Sequence, residues 1–202
     1  MTRQPEDAAP VGCERAGGVL IVRVDNPPVN ALSQAVRRGL SEAVDRAEAD
    51  AAVEVALLLC AGATFIAGAD IREFDAPPTP PLLPETLARI EACSKPWVAA
   101  IHGTALGGGL ETAMACAARI AAPDAMLGLP ETTLGIIPGA GGTVRLPRLI
   151  AAREALEMAA WGEPIPARLA LERGLVDALA EGPLEEEALR VAPRIAGGPR
   201  PT

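Results

Sequence analysis

A nearly continuous aliphatic run at residues 53–60 places the strongest constraint on the fold of this chain. It has the length of a β-strand buried on both faces, and Gly62 ends it. Val19–Val24 and Trp97–Ile101 are similar runs, and an amphipathic helix is predicted from Ser33, a good N-cap residue. This alternation predicts an α/β domain with a largely parallel buried sheet. Periodicity alone leaves open whether the sheet is doubly wound or a coiled stack of repeated units.

Composition narrows the class of protein. Half of the 202 residues are hydrophobic, which is enough to bury the core of one domain. Lys and Arg number 18 against 26 Asp and Glu, and the net charge of -8 argues against a nucleic-acid binder with a broad basic surface. Residues 1–10 are polar and acidic, and no stretch approaches the roughly 18 uninterrupted apolar residues of a membrane span. We therefore expect a soluble, cytoplasmic protein without membrane or nucleic-acid partners.

The cysteine and histidine content indicates no metal site. The cysteines are widely spaced and form no CxxC pair, so neither a zinc knuckle nor a disulfide framework is expected. We interpret them as reduced core thiols; they are Cys13, Cys60, Cys93 and Cys116. His102 is the only histidine, and its position at the end of a predicted strand indicates a structural role.

The chain is predicted to form one domain with flexible ends. We expect a flexible N-terminal segment over residues 1–17, a catalytic domain over 18–192, and a flexible tail over 193–202, where Gly, Pro and Arg are abundant. The further predicted elements are an irregular Pro-rich loop at 76–84, a helix at about 109–117, an extended segment at 119–122, helices at 153–161 and 166–173, and a short strand at 175–179.

A glycine-rich turn, Gly107 to Gly109, stands between a predicted strand and a predicted helix, and Glu111 follows it. Free N–H groups at such a helix start favour negative charge, either a phosphate or an oxyanion. The turn lacks the Lys-Ser/Thr ending of a P-loop and the spacing of a dinucleotide fingerprint, which disfavours nucleotide binding. A carboxylate on so apolar a helix is expected to face an interior site, although compensation of the helix dipole alone would also place Glu here.

A second carboxylate, Glu131, follows the residues LGLP and precedes an apolar stretch that ends at Pro138. With so few polar neighbours, Glu131 is a candidate for a raised pKa, and two such groups at one cavity can divide acid and base roles. The alternatives are a loop cap or an ion pair with Arg145 or Arg148.

Several motifs occur together in one order. They are NPPVNALS at 26–33, FIAGADI at 65–71, GTALGGGLE at 103–111, and LGLPE from residue 127 with GIIPGAGGT after it. Through these motifs, residues 19–180 resemble the crotonase (enoyl-CoA hydratase/isomerase) superfamily. GGGLE, GLPE and the short Pro-rich link after ADIREF resemble most the hydratase domain of bifunctional enoyl-CoA hydratase/3-hydroxyacyl-CoA dehydrogenases.

The resemblance implies an α/β fold built as a spiral of ββα units, with a helical C-terminal part that we expect to be truncated here. It also implies acyl-CoA substrates, no metal, and no cofactor, since CoA is part of the substrate. Carried over by position, the backbone amides of Ala69 and Gly108 form an oxyanion hole, and Glu111 and Glu131 are the catalytic pair. The implied substrate contacts are Val29, Ala31, Ala67, Asp70, Ile71 and Arg72, where a plain surface role for Arg72 is equally open.

The resemblance therefore implies an enoyl-CoA hydratase that adds water to a trans-2-enoyl-CoA. Two alternatives stay open, a Δ3-Δ2-enoyl-CoA isomerase and a non-catalytic acyl-CoA binding or scaffold protein. The implied partners are copies of the chain, as a homotrimer or dimer of trimers if the C-terminal helices are supplied, and a 3-hydroxyacyl-CoA dehydrogenase.

Overall fold

The computed structural model describes residues 9–73 and 77–196. In these ranges the strands are β1 (Val11–Ala16), β2 (Val19–Val24), β3 (Val55–Cys60), β4 (Trp97–Ile101), β5 (Thr104–Leu106), β6 (Ala118–Ala121), β7 (Met126–Gly128), β8 (Ile165–Pro166) and β9 (Ala178–Leu179). The helices are α1 (Gln34–Ala49), α2 (Leu83–Ala92), α3 (Gly108–Ala115), α4 (Gly142–Leu149), α5 (Ala152–Trp161), α6 (Ala167–Arg173) and α7 (Leu184–Ala196). The predicted α/β class is confirmed.

The strands form two sheets. The larger has the order β1-β2-β3-β4-β6-β9, and the smaller has the order β5-β7-β8. All neighbours from β2 to β9 in the larger sheet are parallel, whereas β1 is an antiparallel edge strand. The predicted parallel sheet is therefore correct for the centre of the molecule. Parallel strands need crossover connections, which α1, α2 and α3 supply.

Strand β3 shows why its sequence is continuously aliphatic. Successive side chains of a strand point to opposite faces. Ala56, Leu58 and Cys60 pack in the core beneath α1, α2 and α3, while Val55, Leu57 and Leu59 pack against α7, and all six are buried. Burial of each Leu or Val contributes about 1.5–3 kcal/mol, so neither face tolerates a polar residue.

Helix α1 forms as its sequence predicts. Ser33 is the N-cap, and its hydroxyl accepts a hydrogen bond from the Val36 amide over 3.4 Å. The predicted apolar stripe, formed by Val36, Leu40, Ala43, Val44 and Ala47, is buried. Arg37 is also buried, and it donates to Glu73 over 2.8 Å and to the Leu32 carbonyl over 2.7 Å. Arg37 therefore connects α1 to the short 3-10 helix Ile71–Glu73.

The structure differs from the predicted ends of the domain. Residues 11–16 fall in the predicted flexible segment 1–17 but form β1, which pairs with β2 along its whole length. Exposed charged residues such as Glu14 interrupt the apolar pattern there, because one face of this edge strand is open to solvent. Residues 193–196, assigned to the tail, continue α7 past Pro193. Residues 1–8 and 197–202 of the predicted flexible ends lie outside the described residues.

Other predictions differ only in length. The strand predicted at 175–179 is reduced to Ala178–Leu179, and α3 begins at Gly108 and ends at Ala115. The cysteines are free, and all but the half-buried Cys13 are buried. Across the described ranges, no helix combines the length and the hydropathy that a bilayer crossing requires. The cytoplasmic location stays a prediction.

Candidate active site

Two parallel strands of the smaller sheet bring the predicted carboxylates together. Strands β5 and β7 pair in register, with Leu106 opposite Gly128. The helix that carries Glu111 begins directly after β5, and a 3-10 turn, Pro130–Leu134, that carries Glu131 follows β7. The carboxyl ends of parallel strands meet at one edge of a sheet, so both glutamates emerge on the same side of the molecule.

That side holds a cavity of about 320 Å³. It is lined by Ala67, Gly68, Ala69, Ile71, Leu83, Pro84, Gly107, Gly108, Glu111, Pro130, Glu131, Leu134, Ile136, Ile137, Gly139 and Ala140. Both predicted catalytic residues, both predicted amide positions and two of the predicted substrate contacts are among them. Sequence positions far apart thus converge on a single mostly apolar cavity, the usual form of a small-molecule site.

Glu111 lies in the first turn of α3 with 2% of its surface exposed. Its Oε1 accepts hydrogen bonds from the amides of Ala140, over 2.8 Å, and Gly142, over 2.7 Å. Burial raises the pKa of Glu111 above its ordinary value, while these two amides and the charge of Arg145 act to lower it. A carboxylate that only compensated the dipole of α3 would not need donors from a second, distant turn.

Glu131 is 9% exposed, and its Oε2 is buried without a hydrogen-bond partner among the described residues. Burial raises the pKa of Glu131; its own backbone amide lowers that pKa, and the negative charge of Glu111 raises it. The alternative ion pair with Arg145 or Arg148 is wrong: Arg145 binds Glu91 over 2.7 Å, and no ion pair joins Glu131 to either arginine among the described residues. Burial and the neighbouring Glu111 thus both disfavour the ionised form of Glu131 relative to a solvent-exposed glutamate.

Ala69 and Gly108, whose backbone amides were predicted to form an oxyanion hole, both line this cavity. Gly108 is the first residue of α3, so its N–H has no partner within the helix. A Cβ atom at Gly108 would lie 3.8 Å from the Ala69 nitrogen, which shows how close the two amides are. Neither N–H meets a backbone acceptor in the described ranges. A hydrogen bond of 2.9 Å from the Leu32 amide to the Gly68 carbonyl holds the loop in place.

The remaining predicted substrate contacts do not line the cavity. Val29 is exposed, and its carbonyl accepts a hydrogen bond from Ala67 over 3.1 Å; Ala31 accepts one from Asn26 over 2.8 Å. Asp70 is buried under the guanidinium of Arg72, which binds both carboxylate oxygens, over 2.9 and 2.7 Å. The hydrogen bond from Arg72 holds the pKa of Asp70 below its ordinary range.

Neither His102 nor a cluster of metal-binding side chains lies at the cavity in the described part of the chain. The Nε2 atom of His102 lies 3.1 Å from the Gly62 carbonyl oxygen, and the ring does not line the cavity. This contact agrees with the structural role predicted for His102. Across residues 9–73 and 77–196, no group of three or more His, Cys, Asp or Glu side chains is arranged to hold a metal ion.

Sequence reasoning missed part of the site. It did not assign the apolar wall formed by Leu83, Leu134, Ile136 and Ile137. Nor did it connect Ala140 and Gly142 with Glu111. The signal for the wall was an apolar run in a Gly- and Pro-rich loop, since exposed apolar residues that cluster, as Leu134, Ile136 and Ile137 do, mark a binding or interaction surface.

The sequence model of the family described as enoyl-CoA hydratase/isomerase matches residues 14–201. The chain belongs to the enoyl-CoA hydratase/isomerase family. The predicted resemblance to this family is thereby confirmed, and it extends beyond the segment from residue 19 to residue 180 on which the motifs lie.

Two curated relatives are similar to the chain over most of its length. It is 49% identical over 181 residues to the peroxisomal bifunctional enzyme of Danio rerio, covering 90% of this chain and 25% of that protein. It is 48% identical over 187 residues to a probable enoyl-CoA hydratase of Bacillus subtilis (strain 168), covering 88% of this chain and 72% of that protein. The chain thus spans a quarter of the first relative and most of the second.

Solved structures of enoyl-CoA hydratases share the fold. That from Mycobacterium tuberculosis H37Rv has a TM-score of 0.88 and 35% identity, over 96% of this chain and 78% of that chain. That from Bacillus anthracis has a TM-score of 0.86 and 38% identity, over 94% of this chain and 77% of that chain. The crotonase-like fold predicted by resemblance is confirmed.

Proposed function

We propose that this member of the enoyl-CoA hydratase/isomerase family adds water to a trans-2-enoyl-CoA and releases a 3-hydroxyacyl-CoA. One observation carries the proposal. Glu111 and Glu131, two buried carboxyl groups with raised pKa values, line one apolar cavity together with the amides of Ala69 and Gly108. The names of the Bacillus and mycobacterial relatives agree with this reaction.

The two amides are proposed to bind the thioester carbonyl oxygen. Negative charge moves onto this oxygen as water attacks C3, so N–H donors at Ala69 and Gly108 stabilise the enolate-like transition state. Removal of one such donor costs about 3 kcal/mol in enzymes with an oxyanion hole. Because both donors belong to the backbone and Gly108 opens α3, the dipole of the helix adds to the stabilisation.

The hydrogen bonds of the two carboxyl groups suggest separate roles. Glu111 accepts from two amides, which stabilise its ionised form and suit a base. Oε2 of Glu131 is buried without a partner beside that negative charge, which suits a neutral acid. Glu111 takes a proton from water as the oxygen bonds to C3, and Glu131 gives a proton to C2. Proton transfer from Glu111 to Glu131 then restores the starting state.

The apolar wall and the segments at residues 29–31 and 67–71 are proposed to bind the rest of the substrate. Leu134, Ile136 and Ile137 would contact the acyl chain, because they present apolar surface at the cavity. The CoA moiety would lie across residues 29–31 and the 67–71 loop. Arg72 uses Nε and Nη2 for Asp70, and its 79% exposed side chain leaves Nη1 for a phosphate oxygen.

The proposed function is tested by mixing the protein with crotonyl-CoA. We expect the absorbance of the conjugated thioester to fall and the product to gain the mass of one water. Unchanged crotonyl-CoA, together with conversion of a 3-enoyl-CoA to its conjugated isomer, would instead establish the isomerase. Binding of both thioesters without turnover would establish the scaffold alternative.

A glycine-to-alanine substitution tests the placement of Glu131. A Cβ atom at Gly107 would lie 3.0 Å from Oε1 of Glu131, and Gly107 has a φ of 53°. Gly107→Ala is expected to displace the carboxyl group and lower kcat by up to about 100-fold. Gly17→Ala is the matched control, since Gly17 has a φ of 60° and no neighbour within 4 Å. Equal kcat in both variants would contradict this placement, whereas each should lose about 1–3 kcal/mol of stability from backbone strain.

The proposed partners follow from the product and from the surface. A 3-hydroxyacyl-CoA is a secondary alcohol that a dehydrogenase can oxidise. We therefore propose a 3-hydroxyacyl-CoA dehydrogenase as the partner that uses the product. Exposed Leu156 and Trp161 on α5 supply apolar surface for a homotrimer or dimer of trimers, which we propose for a chain to which the C-terminal helices are supplied. Light scattering measures the assembly directly, and a monomer at assay concentrations would contradict it.

A further inference from the structure

Arg145 lies behind the turn that binds Glu111, outside the set of residues that line the cavity. Its Nη1 donates to the Ala140 carbonyl over 2.8 Å, and its Nη2 donates to Glu91 on α2 over 2.7 Å. Only 12% of its side chain is exposed. Both terminal nitrogens of this long, flexible side chain are thus held, while its Nε is buried without a hydrogen-bond partner among the described residues.

The carbonyl that accepts the hydrogen bond from Arg145 lies between the two amides that bind Glu111. This carbonyl belongs to the peptide unit between residues 140 and 141. The units on either side of it carry the N–H groups of Ala140 and Gly142, and these are the two donors to Glu111. The central unit is bonded directly to both flanking units, so a hydrogen bond to its carbonyl restrains the short turn that carries both donors.

The glycine at position 141 makes the hydrogen bond from Arg145 sterically feasible. Gly141 has a φ of 98°, and a Cβ atom there would collide with Nη1 of Arg145. The guanidinium can therefore approach the backbone only because residue 141 has no side chain. The next basic residue of α4, Arg148, is exposed and does not hold the turn.

We propose that Arg145, anchored by Glu91, is a positioning residue that aims the amides of Ala140 and Gly142 at Glu111. The proposal rests on the proposed hydration, in which Glu111 acts as the base. The charge of Arg145 acts in the same sense as the two amides, because all three lower the pKa of Glu111. Arg145 is not proposed to touch substrate.

The charged groups around Glu111 define the expected pH effect. Glu131 faces it from the 3-10 turn and Arg145 from α4, with Glu91 of α2 bound to Arg145. Arg119 of β6 is bound to Asp177 over 3.1 Å instead. Loss of Arg145 removes a positive charge and loosens two donors, so the pKa of Glu111 rises. A base works above its pKa, and the acidic limb of the kcat–pH profile is therefore expected to move to higher pH.

The test compares Arg145→Met with Arg148→Met, which removes the same charge from the same helix. Arg145→Met is expected to lower kcat at neutral pH by roughly tenfold to 100-fold, leave KM unchanged and shift the acidic limb upward. Arg145→Lys, which keeps the charge, is expected to lie between Arg145→Met and the wild type. Arg148→Met should match the wild type in all three quantities.

A carboxyl ¹³C NMR titration separates the two proposals. The Glu111 signal, assigned through Glu111→Gln, is expected to titrate at higher pH in Arg145→Met, or in Arg145→Lys if the first variant does not fold. A wild-type-like titration and kcat–pH limb in the folded variant would overturn the role of Arg145. Absence of hydratase activity in the wild type would overturn the proposed function alone, because the titration needs no substrate.

Discussion

Replacing Glu131 by Gln is expected to lower kcat for hydration of a 2-enoyl-CoA by about 10²–10⁴-fold, the usual contribution of a positioned general acid. The amide keeps the size of the carboxyl group but has no proton to give to C2. Initial rates with crotonyl-CoA measure the loss. KM should change little, because the acyl wall and the amides of Ala69 and Gly108 stay in place.

Stability distinguishes lost chemistry from lost folding in this variant. Oε2 of Glu131 has no partner in the described part of the chain, so an ionised carboxylate there carries an uncompensated desolvation cost. Gln cannot ionise, and Glu131→Gln should therefore unfold at a temperature no lower than the wild type. Glu172→Gln, at an exposed position on α6, is the matched control and should keep full activity. Wild-type turnover in a folded Glu131→Gln protein would exclude Glu131 as the acid.

The sequence predicted the central strands well and the peripheral ones poorly. Strands β2, β3 and β4 are buried on both faces, and burial alone imposes an aliphatic run that is readable without any partner. Strand β1 has an exposed face, and β5 and β7 have three residues each, too few for a periodicity to develop. The small sheet that aligns the two glutamates was therefore not predicted from its own residues.

The candidate site also has a part that the sequence predicts and a part that it does not. Glu111 and Glu131 stood out because each is a carboxylate in an apolar segment next to a glycine- or proline-rich turn. The hydrogen bonds to Glu111 were not predictable, because they join residues 29 and 31 positions apart through main-chain groups that every residue carries. The predicted ion pair between Arg145 and Glu131 is wrong, since the sequence does not show which side of the turn the guanidinium occupies.

Replacing Glu111 by Gln is expected to lower kcat by at least about 100-fold, because an amide does not take a proton from the attacking water. The Gln side chain can still accept through Oε1 from the amides of Ala140 and Gly142, so the turn should hold its shape. A crystal structure or a melting temperature close to that of the wild type would verify this.

The double variant then tests whether the two carboxyl groups act in one chemical step. If Glu111 removes a proton from the water that adds to C3 while Glu131 protonates C2, loss of either group disables the same step. Glu111→Gln with Glu131→Gln should therefore be about as slow as the slower single variant, as occurs for groups that work as a unit. Losses that multiply would mean that the two groups act independently, and their action in one step would have to be abandoned even if each single variant were impaired.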